Sequence, residues 1–205
     1  NEMWYVMQAD TNAELIVGFD EKLSTESYKK HLENNTILDT MHHENVKKGD
    51  TFYIPTGRVH AIGAGVLLAE IQQTSDVTYR IYDYDRVDAK TGEKRDLHND
   101  LAIDVIDFET HENYKTAYQI EKNISNELVH SPYFKTNILE INTNVEKDYS
   151  NIDSFVIYMC VEGSVEIIVE NESYKINNGE TILLPAAINF VSLKSENAKI
   201  LEVYY

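Results

Sequence analysis

Residues 49–60 read Gly-Asp-Thr-Phe-Tyr-Ile-Pro-Thr-Gly-Arg-Val-His, a G-x5-P-x-G-x2-H spacing. A glycine opens a turn, a β-branched and aromatic run follows, and Pro55 and Gly57 force a tight bend. The bend leaves the imidazole of His60 at the rim of a β-structure, pointing inward. A hairpin with a solvent-facing histidine fits the same local pattern. The arginines add a second signal. There are four, Arg58, Arg80, Arg86 and Arg95, all within 38 residues of each other, in a chain whose lysines are scattered. That grouping points to an anionic ligand held by guanidinium forks. Arg80 lies in a strand-like run, Val77 to Tyr82, and would face inward with His60. The alternative is a salt-bridge network with Asp83 and Asp85, and for Arg86 and Arg95 that structural role is the preferred reading. Glu70 stands in Leu67-Leu68-Ala69-Glu70-Ile71, an acid in an apolar strand, which is costly unless paired or useful. His42 and His43 sit in a polar stretch and read as solvated; His31, His98, His111 and His130 have no partner at ligand spacing.

The elements that must position these groups belong to a chain of 205 residues, enough for one large or two small domains with a real core. A hydrophobic content of 42% with 14 tyrosines argues for a strand-rich globular protein and against disorder. A formal charge of −17 argues against nucleic acid or an anionic membrane as partner. The single cysteine, Cys160, cannot close an internal disulfide and reads as a buried hydrophobe, which points to a reducing, cytoplasmic setting. No apolar run has the length of a membrane span, and no signal peptide is present. The chain opens Asn1-Glu2-Met3-Trp4, directly in a strand pattern, and on that ground reads as a piece of a longer protein.

An internal repeat organises the sequence. Gly49 and Pro55 are matched by Gly179 and Pro185, 130 residues on. The strand pair Trp4–Met7 and Ala13–Val17 is matched by Val156–Met159 and Val165–Val169, 152 residues on. The difference is an insertion in the first copy at about residues 20–45, where Ser24 to Asn34 has helix-start chemistry. The pattern describes two related β-barrels in tandem: the first at 1–108, a polar linker at 109–126, and the second at 127–205. Asp96 to Phe108 reads as an amphipathic helix (about 96–106) capped by Asp96, with Leu97, Leu101 and Val105 on one face. Under these offsets His60 falls opposite Phe190, Gly57 opposite Ala187 and Glu2 opposite Ser154. The second barrel therefore lacks candidate ligands, and chemistry belongs to the first.

The G-x5-P-x-G-x2-H spacing resembles the second signature motif of the cupin barrels, whose histidine is a metal ligand. Glu2 stands where their first motif places a metal-binding Glu. One oxygen and one nitrogen ligand suit Zn²⁺ or another borderline divalent metal, and a catalytic site needs about three protein ligands. The stretch from Gly49 to Arg86, with Asn1 to Met7, resembles the zinc-dependent type I mannose-6-phosphate isomerases, particularly the short bacterial form. The resemblance implies a mainly β fold of tandem cupin (jelly-roll) barrels with a helical insertion in the first. It implies an aldose–ketose isomerase interconverting mannose 6-phosphate and fructose 6-phosphate through a cis-enediol. Glu2 and His60 match two zinc ligands of that family, whose other two, a Gln and a His, come from an upstream segment. Its catalytic arginine matches Arg80, and its site carboxylates match Glu70 and Asp76. The implied partner is a small sugar phosphate, with no nucleic acid and no membrane, in a monomer or homodimer. The rival reading is a metal-free cupin serving as a sugar-binding or oligomerisation module.

Overall fold

The computed structural model describes residues 1–75 and 77–205, so Asp76 lies outside the described residues. In the N-terminal half, β1 (Glu2–Ala9) runs antiparallel between β4 (Thr51–Ile54) and β6 (Val66–Gln72). Beside it β2 (Glu14–Phe19) runs between β3 (Met41–Asn45) and β5 (His60–Ile62). The C-terminal half is one curled sheet of β7 (Asn126–His130), β8 (Lys135–Ile141), β9 (Val145–Asp148), β10 (Val156–Val169), β11 (Glu172–Asn177), β12 (Thr181–Leu184), β13 (Phe190–Lys194) and β14 (Ala198–Tyr204). The 14-residue β10 corresponds to β1 and β2 joined end to end. Its first part lies between β12 and β14, its second between β11 and β13. The same pairing scheme thus occurs twice, as the sequence repeat anticipates, in a mainly β cupin fold.

Strand register moves one part of the sequence alignment. Glu2 pairs with Ile54, and Val156 pairs with Leu184, so Glu2 stands opposite Val156 rather than Ser154. A slip of two residues keeps every side chain on its own face of the sheet, so hydrophobic alternation cannot detect it. The corrected register equates the cross-strand pair Trp4–Glu70 with Tyr158–Glu202. The hairpin turns agree too: Arg58 N–H donates to Pro55 O, and Ile188 N–H donates to Pro185 O.

Alternation along β1 sorts its residues. Trp4 and Val6 join Leu15, Val17, Phe52 and Ile54 inside the N-terminal half. Met3 and Tyr5, on the opposite face, join Ala69 and Ile71 against Ile138, Leu201 and Val203. That second cluster fastens the two halves together, sheet face to sheet face.

Four segments differ from expectation. In the insertion, α1 (Thr25–Glu33) starts at a Ser24–Ser27 capping box and is followed by a 3-10 turn at Ile37–Thr40. Residues 41–45 are strand, so the helical part is shorter than the insertion. The helix expected at about 96–106 is only α2 (Asn99–Ala102), with His98 rather than Asp96 in the capping position. The chain there is tied at both ends: His98 N–H donates to Arg80 O, and Asp107 N–H to Gly57 O. Of the expected apolar face, Ala102 and Ile106 turn inward, with Ile103, while Leu97, Leu101 and Val105 stay exposed. Val77 to Tyr82 forms no strand. Finally, the polar stretch after residue 108 crosses the N-terminal strands as a strap. Tyr114 is buried in their core, Thr116 N–H donates to Thr51 O, and Tyr118 OH donates to Gly49 O at 2.6 Å.

Candidate metal centre

His60 opens β5 directly after the Pro55–Gly57 turn. Gly57 has φ +92°, and a Cβ there would overlap the Val105 carbonyl oxygen, so only glycine makes this bend here. His60 pairs across the sheet with Val17, a core residue, which sets the imidazole on the inner face. Its Nδ1 lies 2.8 Å from the Arg58 carbonyl oxygen. A carbonyl only accepts, so the proton sits on Nδ1 and the Nε2 lone pair is left free, the tautomer a metal ligand needs. Nε2 faces Glu2 Oε1 at 3.5 Å. Two ligand atoms on a tetrahedral ion at about 2.0–2.1 Å are about 3.3–3.4 Å apart. The pair therefore has the bite of two metal ligands.

Glu2 is partly buried, and Gln72 Nε2 donates to its Oε1 at 3.4 Å. Burial pushes its carboxyl above the ordinary range, His60 opposes that, and nearby Glu70 pushes it further up. Two acids crowded beside an imidazole are an arrangement that a cation would relieve. Among the described residues, no group of three or more His, Cys, Asp or Glu side chains comes together at metal-binding distances. Glu2 and His60 fit as part of a ligand set and do not complete one.

Glu70 is exposed, and its Oε2 accepts the Trp4 indole N–H at 2.9 Å. The cost expected of an acid in an apolar strand is avoided by that exposure and that bond. Arg80 sits in irregular chain rather than in a strand. Its guanidinium donates to Asp96 O at 3.0 Å and its backbone N–H to His98 Nδ1 at 3.0 Å. Neither bond joins it to Glu2, His60 or Glu70. Arg86 and Arg95 both reach Asp83, whose carboxyl Arg95 holds below the ordinary range, and Arg58 reaches Asp107 at 3.2 Å.

Two polar clusters were not singled out by sequence. His42 is a strand residue clasped by Asp20 at 2.6 Å and Glu44 at 3.1 Å, with its ring tilted over Tyr114. Burial lowers its affinity for a proton, but the two carboxylates outweigh this and raise it. In the C-terminal half Glu202, 1% exposed, is held by Lys147 at 2.7 Å, Asn137 at 2.8 Å, Ser125 at 2.7 Å and the Tyr149 hydroxyl. The available signal was an acid between Leu201 and Val203, the same signal that marked Glu70.

Comparison with known proteins agrees with this architecture. Residues 124–205 match the family described as mannose-6-phosphate isomerase, cupin domain. The mannose-6-phosphate isomerase of Streptococcus mutans is 35% identical over 188 residues, covering 91% of this chain and 58% of that protein. Mannose-6-phosphate isomerase ManA of Bacillus subtilis is 33% identical over 195 residues, covering 94% and 61%. The crystal structure of the Bacillus subtilis mannose 6-phosphate isomerase superposes with a TM-score of 0.86 at 29% identity, over 100% of this chain and 64% of that one. A putative mannosephosphate isomerase from Archaeoglobus fulgidus, 18% identical with a TM-score of 0.72, shares the fold. The chain spans about three-fifths of the length of the curated relatives it matches. By sequence and by fold, the chain is similar to the type I, cupin mannose-6-phosphate isomerases, and its residues 124–205 match their cupin-domain family.

Proposed function

We propose that this protein interconverts mannose 6-phosphate and fructose 6-phosphate at the inner face of the N-terminal strands. The observation that carries the reading is the Glu2–His60 pair, with the imidazole tautomer fixed by the Arg58 carbonyl and the two ligand atoms 3.5 Å apart. Glu2 and His60 would hold the metal, with zinc as the borderline ion that suits one oxygen and one nitrogen ligand. Bound there, the ion would polarise and orient sugar oxygens.

The residues of the chain do the rest. Glu70, or Asp76 beyond the described residues, takes the proton from C2 of the aldose, and the C1 carbonyl oxygen takes up the negative charge of a cis-enediolate. The same carboxyl then returns that proton to C1 while the C2 hydroxyl proton passes to the C1 oxygen, leaving the C2 ketone and a C1 hydroxyl. Atoms and electrons balance without an external oxidant. Arg80 stabilises the enediolate or the phosphate as negative charge accumulates. The sugar phosphate is the only small-molecule partner this requires.

The repeated strand scheme supports a division into a metal-bearing unit at 1–108, a connecting strap at 109–126 and a second unit at 127–205 without metal ligands. Cys160, buried and with its thiol pushed up by burial, is consistent with a reducing, cytoplasmic setting. Among the described residues no helix is long and apolar enough to cross a membrane.

The test is conversion of mannose 6-phosphate by the zinc-loaded whole protein that carries this chain and by its Arg80→Ala variant. Turnover is expected, falling by about 10²–10³-fold in the variant with zinc retained. A zinc-loaded whole protein that converts no mannose 6-phosphate would sink the isomerase reading; unchanged turnover in Arg80→Ala would remove Arg80 from the chemistry.

A further inference from the structure

Trp4 is the single tryptophan of the chain and is 1% exposed in β1. Its ring belongs to the core, yet its polar edge belongs to the site. The indole N–H donates to Glu70 Oε2 at 2.9 Å. The ring meets His60 edge-on, with centroids 5.3 Å apart and planes at 78°. One side chain thus meets both Glu70 and His60. An indole has one donor and no acceptor, and burying that donor unpaired is costly, so the bond to Glu70 is the one it must keep.

The internal repeat supplies an independent observation. At the equivalent cross-strand pair Tyr158 faces Glu202, and the Tyr158 and Tyr149 hydroxyls run in series to that carboxylate. An aromatic residue stands across from a strand glutamate in both halves, with Tyr149 as the direct donor in the C-terminal one. In the C-terminal half Lys147, Asn137 and Ser125 fill the remaining carboxylate positions. Among the described residues, the Trp4 indole is the one hydrogen-bond donor to the Glu70 side chain.

We propose that Trp4 is a positioning residue coupling Glu70 to His60. Its N–H fixes one carboxylate oxygen and leaves the other turned to the site, while its ring edge fixes the imidazole plane. An ion held by Glu2 and His60 is then sensed at Glu70 through one rigid side chain. This coupling rests on Glu2 and His60 being metal ligands; the Trp4–Glu70 pairing does not.

A single tryptophan gives a single indole N–H cross-peak in the proton–nitrogen correlation spectrum of the ¹⁵N-labelled chain. Glu70→Gln, an isosteric change at an exposed side chain, is expected to move that cross-peak by several linewidths. Added zinc is expected to move it in the unmodified chain and to leave it in place in His60→Ala. A cross-peak indifferent to Glu70→Gln overturns the pairing. Zinc retained on dialysis with no movement of the cross-peak overturns the coupling. No zinc retained, with the Glu70→Gln shift present, upholds the pairing and overturns the metal reading together with the coupling built on it.

Discussion

Burial and ionisation oppose each other at Glu202. Burial alone would push its carboxyl up, but the Lys147 ammonium and the hydrogen bonds from Tyr149 and Asn137 outweigh burial and hold it below the ordinary range. A carboxyl depressed in the folded state contributes stability above its unfolded value, and that contribution is lost as pH falls through the folded value. Urea denaturation of the protein should therefore show stability declining on acidification below about pH 5, with a flatter decline in Glu202→Gln. Lys147→Met, which leaves the carboxylate buried and unpaired, should cost about 3–5 kcal/mol near neutral pH, and adding Glu202→Leu should recover most of it. Equal stability of Lys147→Met and the parent would show that the pair is not coupled. His60 was legible from the sequence because turn chemistry fixes where it points. This cluster was not, because Lys147 and Glu202 lie on strands far apart in sequence, and the acid between Leu201 and Val203 names none of its partners.

Elements are set here by turns as much as by strands. Gly57 and Gly179 are both at positive φ, +92° and +86°. A Cβ at Gly57 collides with backbone, whereas nothing lies within 4 Å of one at Gly179. Gly57→Ala should destabilise the protein well beyond Gly179→Ala, whose cost should be about 1 kcal/mol from backbone conformation alone. The same change should speed hydrogen exchange at the Asp107 amide, which is bonded to Gly57 O. Equal unfolding midpoints for the two variants would contradict the collision. The strands themselves were readable because alternation and the Gly–Pro spacing recur in both halves. The helix expected at 96–106 forms only over Asn99–Ala102 because the ends of the segment are tied elsewhere, to Arg80 O and Gly57 O. The strand expected at 77–82 failed for a related reason: Arg80 spends its bonds on the 96–98 segment rather than on a sheet neighbour.

Across the whole molecule, the cluster of Met3, Tyr5, Ala69, Ile71, Ile138, Leu201 and Val203 makes the two halves one body. Leu201, 0% exposed, is central to it. Leu201→Ala should cost about 2–5 kcal/mol. Trp4 fluorescence, which reports on the N-terminal half, and far-ultraviolet circular dichroism, which reports on all the strands, should then shift together in a denaturant titration. Separate transitions would mean that the halves unfold independently. The tandem arrangement was visible in the sequence repeat, but its two-residue register was not, since only hydrogen-bond pairing distinguishes Val156 from Ser154 as the partner of Glu2. The central claim is that Glu2 and His60 are ligands of one metal ion. Its most direct measurement is zinc content after dialysis of the chain and of His60→Ala side by side. About one zinc per chain, lost in the variant, is the predicted result. Zinc retained equally by both, or by neither, would contradict it.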